Sequence, residues 1–463
     1  MQNEFVINSE VQQLGEESQM AAASAMRILY LTCFEQPIHS GIFESQVKRY
    51  LCKLATEKGS EIKVSQLAFR PAALIGRDGL SFPFVAERAW FRALKQEFAR
   101  HKIDADVAFV PVLLSRRWSF YFNLPVLIVV VALTMPILLF KVTRGRYQII
   151  HCRSYVSTFC ALLVRFLFRS IKVVFDMRGF YPEEGLIQKT WTRHSLTFKA
   201  WKRIERFLIR HADHTIAVSE SFEKRVTESG GNACSLIYLG TDIAKFREAA
   251  PLRMQTRTDL GLQGKTVFAY CGGLGSWHDP AILAKVGAAI GRNFMDAALL
   301  VLTPDDPLDL ETQFLRAGLE SERVRIMAVE PTEVPRYLCA ADFGIVPLRD
   351  MDESDPACVV ADTMIGVKVT EYMAAGLPVI VNERVGGFRT LMTRFKIGVF
   401  FDSENLEAMM PKLRSMIEDI VTYHEDCRRV SEKFLSLDLA VTAYYDVYRN
   451  LLDREHVQCG LTR

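Results

Sequence analysis

The sequence predicts an α/β protein: two doubly wound, parallel-sheet domains in series, facing one another across a cleft. Three observations predict it. From Met26 onward, short apolar runs alternate with longer helical ones, which is the βαβ signature of a parallel sheet. A polar, irregular stretch with Pro251, Gly240–Gly264, interrupts that alternation. The alternation then restarts at Val267. A length of 463 residues suits two or three domains with sizeable cores.

Residues 1–25 are polar and acidic, without a basic start or an apolar core. They are expected to form a loosely ordered tail rather than a signal peptide. The first domain is placed at 26–245. Its expected strands are Arg27–Thr32, Glu61–Ala68, Asp106–Val112, Tyr147–His151, Lys172–Phe175, His214–Val218 and Ser235–Tyr238. Helices are expected at Phe43–Lys58, Ala86–Arg100, Ser154–Phe168, Thr192–Arg210 and Glu220–Ser229. A linker at 246–264 leads to a second domain at 265–436. There the expected strands are Val267–Cys271, Ala298–Leu302, Val324–Ala328, Asp342–Pro347 and Val379–Asn382. Its expected helices include Pro280–Arg292, Glu333–Ala340 and Lys368–Ala375. Residues 437–463 hold a last helix, Ala440–Leu452. Ligands in such sheets sit at the carboxyl ends of the strands.

A net charge of +3 is too small to argue for nucleic acid. The ten cysteines include no Cys-x-x-Cys pair, which argues against a zinc site or redox pair and suits a reducing, cytoplasmic setting. Leu124–Phe140 is almost unbroken apolar sequence, 17 residues where a membrane span needs roughly 20. Asp106–Val112 and Tyr147–His151 should be neighbours in one sheet, so the connection between them must start and end on one side of a membrane. Basic residues flank both ends (Arg116, Arg117, Lys141, Arg144, Arg146), giving no inside–outside asymmetry. Two readings remain: a buried crossover helix, or a peripheral membrane contact through residues 119–141. The basic helix Arg193–Arg210 reads as a solvated face.

The stretch Lys368-Val-Thr-Glu-Tyr-Met-Ala-Ala-Gly-Leu-Pro-Val reads as a short helix stopped by Gly376 and Pro378 that feeds a buried strand. Lys368 and Glu371 share one face near its start, where unpaired N–H groups and partial positive charge suit an anion. An ammonium there can meet a phosphate, and a carboxylate one turn in can grip a diol. Equally, Glu371 can simply complement the helix dipole.

This stretch resembles the donor-site signature of the family 4 glycosyltransferases (glycosyl transferases group 1), retaining enzymes of the GT-B fold. The resemblance covers about residues 26–455 and points to the bacterial polysaccharide-type subgroup. It implies two Rossmann-like domains, the first binding the acceptor and the second a nucleotide-sugar, with the last helix crossing back to the first domain. It implies Glu371 on the ribose, with Val367, Lys368, Gly273 and Gly275 also at the donor. The turn Cys271-Gly-Gly-Leu-Gly-Ser-Trp-His278 follows an apolar strand and resembles the family's glycine turn, although such a turn can also be plain strand–helix punctuation. His151-Cys-Arg153 stands where the family often has His-x-His, so Arg153 takes the second position near the transferred sugar. Asp176-Met-Arg178-Gly-Phe-Tyr-Pro-Glu183-Glu184 resembles a subgroup of bacterial relatives. Asp176 and Arg178, with His151 and Arg153, are the catalytic candidates; Glu183, Glu184 and Gly41 are the acceptor-side ones. Asp176 and Arg178 could instead pair structurally, and His151 could be a satisfied core histidine. His39 reads as loop decoration.

The chain departs from the family pattern at two points. The first Glu of the family's Glu-x7-Glu falls on Thr363, and no Arg/Lys pair follows the glycine turn, leaving Lys368 for the diphosphate. The acidic run Asp350–Asp355 reads as a solvated loop. The GT-B resemblance implies no metal and no cofactor beyond the nucleotide-sugar donor. The expected partners are that donor and a glycan or lipid-linked acceptor, with no nucleic acid. The expected function is retaining transfer in surface polysaccharide assembly. A sugar-nucleotide epimerase and a non-catalytic sugar-binding protein stay open as alternatives.

Overall fold

A computed structural model describes residues 25–34, 41–76, 79–115, 122–275, 277–350, 358–383 and 386–460. The tail at 1–24, His39, Arg116, Arg117 and the acidic run beyond Asp350 lie outside the described residues. Two parallel sheets form the frame. The first holds β1 (Met26–Cys33), β2 (Ile62–Gly76), β3 (Gly79–Ser81), β4 (Asp104–Ser115), β5 (Ile149–Arg153), β6 (Lys172–Asp176), β7 (His214–Ala217) and β8 (Cys234–Leu236). Their order is β3-β2-β1-β5-β6-β7-β8, with β4 also paired to β2 and only β3 antiparallel. The second sheet holds β9 (Thr266–Cys271), β10 (Ala297–Leu302), β11 (Val324–Met327), β12 (Phe343–Val346), β13 (Val379–Asn382) and β14 (Gly398–Phe401), in the order β11-β10-β9-β12-β13-β14. Central strands are buried on both faces and accordingly read as continuous apolar runs, such as Ala-Ala-Leu-Leu-Val-Leu in β10. Strand order reverses beside β1 and beside β9, and a crevice opens at the carboxyl ends of both.

Four expectations need correction. β4 and β5 share a sheet but are not neighbours, because β2 and β1 lie between them. β2 and β4 run well past their expected ends. Arg70-Pro71 looks like a stop signal, but Pro71 sits where the β2–β4 register shifts, a place that tolerates a missing N–H. Residues 246–264 are not an irregular linker. They include the end of the Ile243–Ala249 helix and the Arg253–Asp259 helix, and Phe246, Ala249 and Leu262 are buried in the second domain's core. The Pro307–Arg316 and Cys358–Thr363 helices and β14 were not expected at all.

The Leu124–Gly145 helix connects β4 to β5. One stripe, Leu127, Val130, Thr134, Leu138 and Val142, is buried against the first domain. Val126, Val131, Leu133, Met135, Ile137 and Leu139 are half-buried against the same core, and the outer face, including Ile128, Val129 and Phe140, is exposed. It is long and apolar enough to cross a membrane by length and composition, yet its buried stripe belongs to a domain core.

The Leu437–Gly460 helix follows the second domain but packs on the first sheet. Val441, Tyr444 and Tyr448 share a core with Ile28, Tyr30 and Ile149. The two passages of chain between domains run side by side: Thr241 N–H donates to Leu435 O, and Leu437 N–H to Thr241 O. Gly240 permits this approach, since a Cβ there would lie 2.7 Å from Leu437 Cα.

Candidate active site

A cleft of about 630 Å³ lies between the carboxyl edges of the two sheets. A larger groove, about 1070 Å³, opens at the amino edge of the first sheet beside Arg27, Lys63 and Lys141. Doubly wound sheets hold ligands at the opposite edge, so the cleft is the candidate site. Its first-domain wall includes Phe34, Gln46, Arg153, Ser154, Arg178 and Glu184. Its second-domain wall includes Gly273, Gly275, Trp277, His278, Val367 and Lys368.

On the first-domain side, β5 and β6 end in register, with Arg153 opposite Asp176. Arg153 reaches Gln46 Oε1 at 2.7 Å. Ser154, the first residue of the next helix, holds a left-handed φ of 69°, a strained conformation of the kind that collects at functional turns. Arg178 Nε donates to Asp176 Oδ2 at 2.8 Å, and its Nη2 donates to the Tyr444 hydroxyl. Burial alone would raise the Asp176 carboxyl, but Arg178 and then His151 hold it well below the usual range.

His151 and Asp176 are fully buried and do not line the cavity; they stand behind Arg178. His151 Nε2 lies 3.2 Å from Asp176 Oδ2, its Nδ1 lies 2.8 Å from the Tyr448 hydroxyl, and its ring stacks on Tyr30 at 4.6 Å. An ionised Asp176 can only accept, so Nε2 carries the proton and Nδ1 accepts from Tyr448. Burial lowers the His151 pKa, which keeps the ring neutral.

Glu183 does not line the cavity either. It is buried, paired with Lys202 at 2.9 Å and close to Glu205. Burial and Glu205 push it up to about 7 against the pull of Lys202. Glu184 does face the cleft and lies over Gly179, where a Cβ would strike its carboxylate at 1.9 Å. Gly41 opens the first helix but does not line the cavity; its neighbours Ile42 and Gln46 do.

On the second-domain side, the turn after β9 holds Gly272 at φ 121° and Gly275 at φ 139°. A Cβ on Gly272 would lie 2.2 Å from Lys368 Cε, so this glycine makes room for the lysine. The turn is fixed from outside by Asp305, whose Oδ2 accepts from Leu274 N–H at 2.6 Å and from the Thr303 hydroxyl at 2.8 Å. His278 Nδ1 lies 2.9 Å from the Tyr270 hydroxyl, and burial together with Lys368 pushes the His278 pKa down to about 3.

Lys368 lies in the first turn of the Val367–Ala375 helix, which ends in Gly376 at φ 84°. Its ammonium sits 5.5 Å from the Tyr270 ring centroid, and burial lowers its pKa despite the field of Cys271 and Glu371. Glu371, one turn on, is half-buried and is not part of the cavity lining. Desolvation raises its carboxyl, and Arg49 of the first domain and Lys368 pull the other way.

Thr363, at the position of the absent carboxylate, lines the cleft, but its hydroxyl is bonded to Val359 O at 2.6 Å. Its carbonyl accepts from the Ser219 hydroxyl at 2.8 Å, while Ser221 donates to Asp362 O at 2.6 Å and Arg225 pairs with Asp362 at 2.8 Å. These bonds join the two domains beside the cleft. Among the described residues, no group of three His, Cys, Asp or Glu side chains is placed to hold a metal ion.

Asp305, Ser219, Ser221, Arg225, Tyr444 and Tyr448 were not among the residues expected around the site. Asp305 had a readable signal, an acid just beyond the carboxyl end of an apolar strand. The tyrosines had none, because their partners lie 266 and 297 residues away.

Known proteins agree with this geometry. The family described as Glycosyltransferase Family 4 matches residues 89–245, and Glycosyl transferases group 1 matches residues 265–419. Anabaena HepE, solved in complex with UDP, is similar in structure with a TM-score of 0.62 and 17% identity, over 92% of this chain and 100% of that one. Sucrose-phosphate synthase from Thermosynechococcus elongatus gives 0.65 and 16%, over 93% and 100%. A glycosyltransferase from Rickettsia africae gives 0.64 and 14%, over 92% and 99%. At these identities the structural likeness shows the GT-B fold, and the two family matches show glycosyltransferase domains. No curated protein sequence matches the chain.

Proposed function

We propose that this chain, a glycosyltransferase by both of its domains, moves a sugar from a nucleoside-diphosphate sugar to a hydroxyl of a glycan or lipid-linked acceptor, with retention of configuration. The observation that carries the reading is the meeting in one cleft of Lys368, Gly273 and Gly275 from one domain with Arg153 and Arg178 from the other. Departure of the diphosphate leaves negative charge on phosphate oxygens while the sugar becomes cationic. A desolvated ammonium, a helix start and a glycine turn are donors already aimed at such a charge before it develops. Residues 265–436 would hold the donor, with Glu371 on the ribose, and 26–245 the acceptor, beside Glu184 and the helix that starts at Gly41. Arg153 and Arg178 would orient phosphates or acceptor hydroxyls. A phosphate oxygen of the leaving group would take the acceptor proton, as the family resemblance implies. The bonds from Ser219, Ser221 and Arg225 to residues 362 and 363 would hold the cleft shut against water. No metal or other cofactor enters this scheme.

The setting we infer is the cytoplasmic face of a membrane, in assembly of a surface polysaccharide, with the apolar Leu124–Gly145 helix in peripheral contact. HepE binds UDP, and a uridine nucleotide is the first ligand to try here. Calorimetry with UDP, GDP, ADP and CMP on wild type and on Glu371→Ala is the test. One diphosphate bound at micromolar strength by wild type and at least tenfold more weakly by the variant supports the donor site. A folded wild type that binds none of the four overturns it.

A further inference from the structure

β1 ends at Cys33, opposite Phe69 of β2, on the edge that lines the cleft. β2 does not stop there. It continues through Gly76, paired to β4 as far as Ser115 and turned back by β3. Seven residues therefore overhang the sheet, roughly 20 Å of strand. The short Pro83–Ala86 helix and the start of the Arg88–Arg100 helix follow the overhang.

This overhang is apolar where it meets water. Leu80, Phe82, Phe84, Val85, Trp90 and Leu113 are between 44% and 63% exposed. They are held on a rigid base. Arg70 and Glu87, both buried, form a two-point ion pair at 2.7 and 3.2 Å, and the rings of Phe82, Phe84 and Phe109 pack in a chain at 5.8 and 6.1 Å. The Leu124–Gly145 helix begins at the same edge, with Ile128 and Val129 exposed in its second turn. Such a concentration of exposed apolar side chains exceeds what a water-facing surface usually shows.

The charges beside it identify the occupant. Arg88 and Arg92 are exposed on the opening turns of the helix that carries Trp90. The two acids between residues 79 and 100, Glu87 and Glu97, are engaged by Arg70 and Lys48. An apolar, aromatic tip flanked by exposed arginines suits an anionic lipid surface: the aromatics sit at headgroup depth and the arginines meet phosphates.

We propose that the β2–β3–β4 overhang, with the start of the Leu124–Gly145 helix, is a membrane-insertion surface for an anionic bilayer. It sets the cleft beside the headgroups, so the acceptor reaches the site from the membrane as an amphiphile whose hydroxyl or phosphate stands at the interface. That second statement rests on the transferase reading; the first does not.

Flotation with vesicles of phosphatidylcholine alone, and of phosphatidylcholine with phosphatidylglycerol, tests the surface. Wild type should float with the anionic vesicles and only weakly with the neutral ones. Leu80→Gln with Val85→Gln should lower partitioning about 30-fold. Arg88→Glu with Arg92→Glu should remove most of the preference for phosphatidylglycerol. Calorimetry with UDP on the same variants should show unchanged affinity, confirming an intact fold and donor site. The proposal is overturned by wild type that floats with neither vesicle, or by a Leu80/Val85 double variant that floats like wild type. It is also overturned if wild type is a dimer in solution that floats with neither vesicle and that variant is a monomer, which would assign the face to a second copy. Vesicle binding by a wild type that binds no nucleotide would sink the donor reading and leave this proposal standing.

Discussion

The two walls of the cleft are charged in opposite manners. Behind the first-domain wall the buried acids have partners inside the protein: Asp176 is held by Arg178 and His151, and Glu183 pairs with Lys202. On the second-domain side, Lys368 and His278 line the cleft and Glu371 lies one helical turn from Lys368; all three are desolvated and their pKa values are displaced in the direction burial dictates. Arg178 is answered by Asp176, whereas among the described residues no ion pair to Lys368 forms. A buried charge without a partner costs stability, and a site that tolerates one is poised to bind its counter-charge.

The comparison can be broken most severely at Asp176. Asp176→Asn leaves the buried Arg178 guanidinium without a counter-ion and should destabilise the fold by about 3–5 kcal/mol in urea denaturation. A loss below about 1 kcal/mol would mean the first wall is not a closed network. Lys368→Met should act in the opposite sense. It should weaken nucleotide diphosphate binding by roughly 10- to 100-fold, the worth of a charged hydrogen bond. Yet it should raise the unfolding midpoint of the unliganded protein, because the lowered pKa of Lys368 marks a cost that is present at neutral pH and disappears only as pH rises past the ordinary lysine value. A lower midpoint would place Lys368 among the structural charges.

A finer test uses pH. The folded Glu183 binds its proton more tightly than the unfolded chain does. Its contribution is therefore fully present below about 4.5 and lost as pH rises through about 7. Glu183→Gln should flatten the pH dependence of stability across that window, by on the order of 1–2 kcal/mol. An unchanged slope would show that Lys202 and Glu205 carry the titration instead. The smallest effect is expected at Arg225. Its pair with Asp362 is largely exposed, so Arg225→Ala should cost less than about 1 kcal/mol in stability. If it instead lowered turnover tenfold or more, the contact between the domains would be part of the catalytic cycle.

What could be read in advance follows the range of the interactions. The alternation of strands and helices is local, and so is the Lys368-to-Pro378 pattern with its left-handed Gly376; both were legible. The Thr241–Ser436 pairing and the tyrosines behind Arg178 depend on residues far apart in the chain, and no short window contains them. Between these extremes lie signals that were present and misread. The strand expected to end at Ala68 in fact continues past Pro71 across an irregularity. Gly240–Gly264 reads as a linker because its charged residues hide Ile243, Phe246 and Leu262, which are buried in a core. His151, Asp176 and Glu183 stand out in the sequence as polar residues at a strand end or helix start. Their type could not say whether they point into the cleft or behind it.

The returning Leu437–Gly460 helix has a consequence for how the chain is made. Domains ordinarily fold in the order in which they leave the ribosome, at roughly 5–20 residues per second. Here the face of the first sheet that carries Tyr30 and His151 is covered by Tyr444 and Tyr448, residues translated last. The second domain can close its own core earlier. The first domain, synthesised first, is completed only after roughly another 10–40 s, the time needed to make the nearly 200 residues that separate it from its final helix. For that interval its apolar sheet face is open, and a fragment cut anywhere before Leu437 would keep it open permanently.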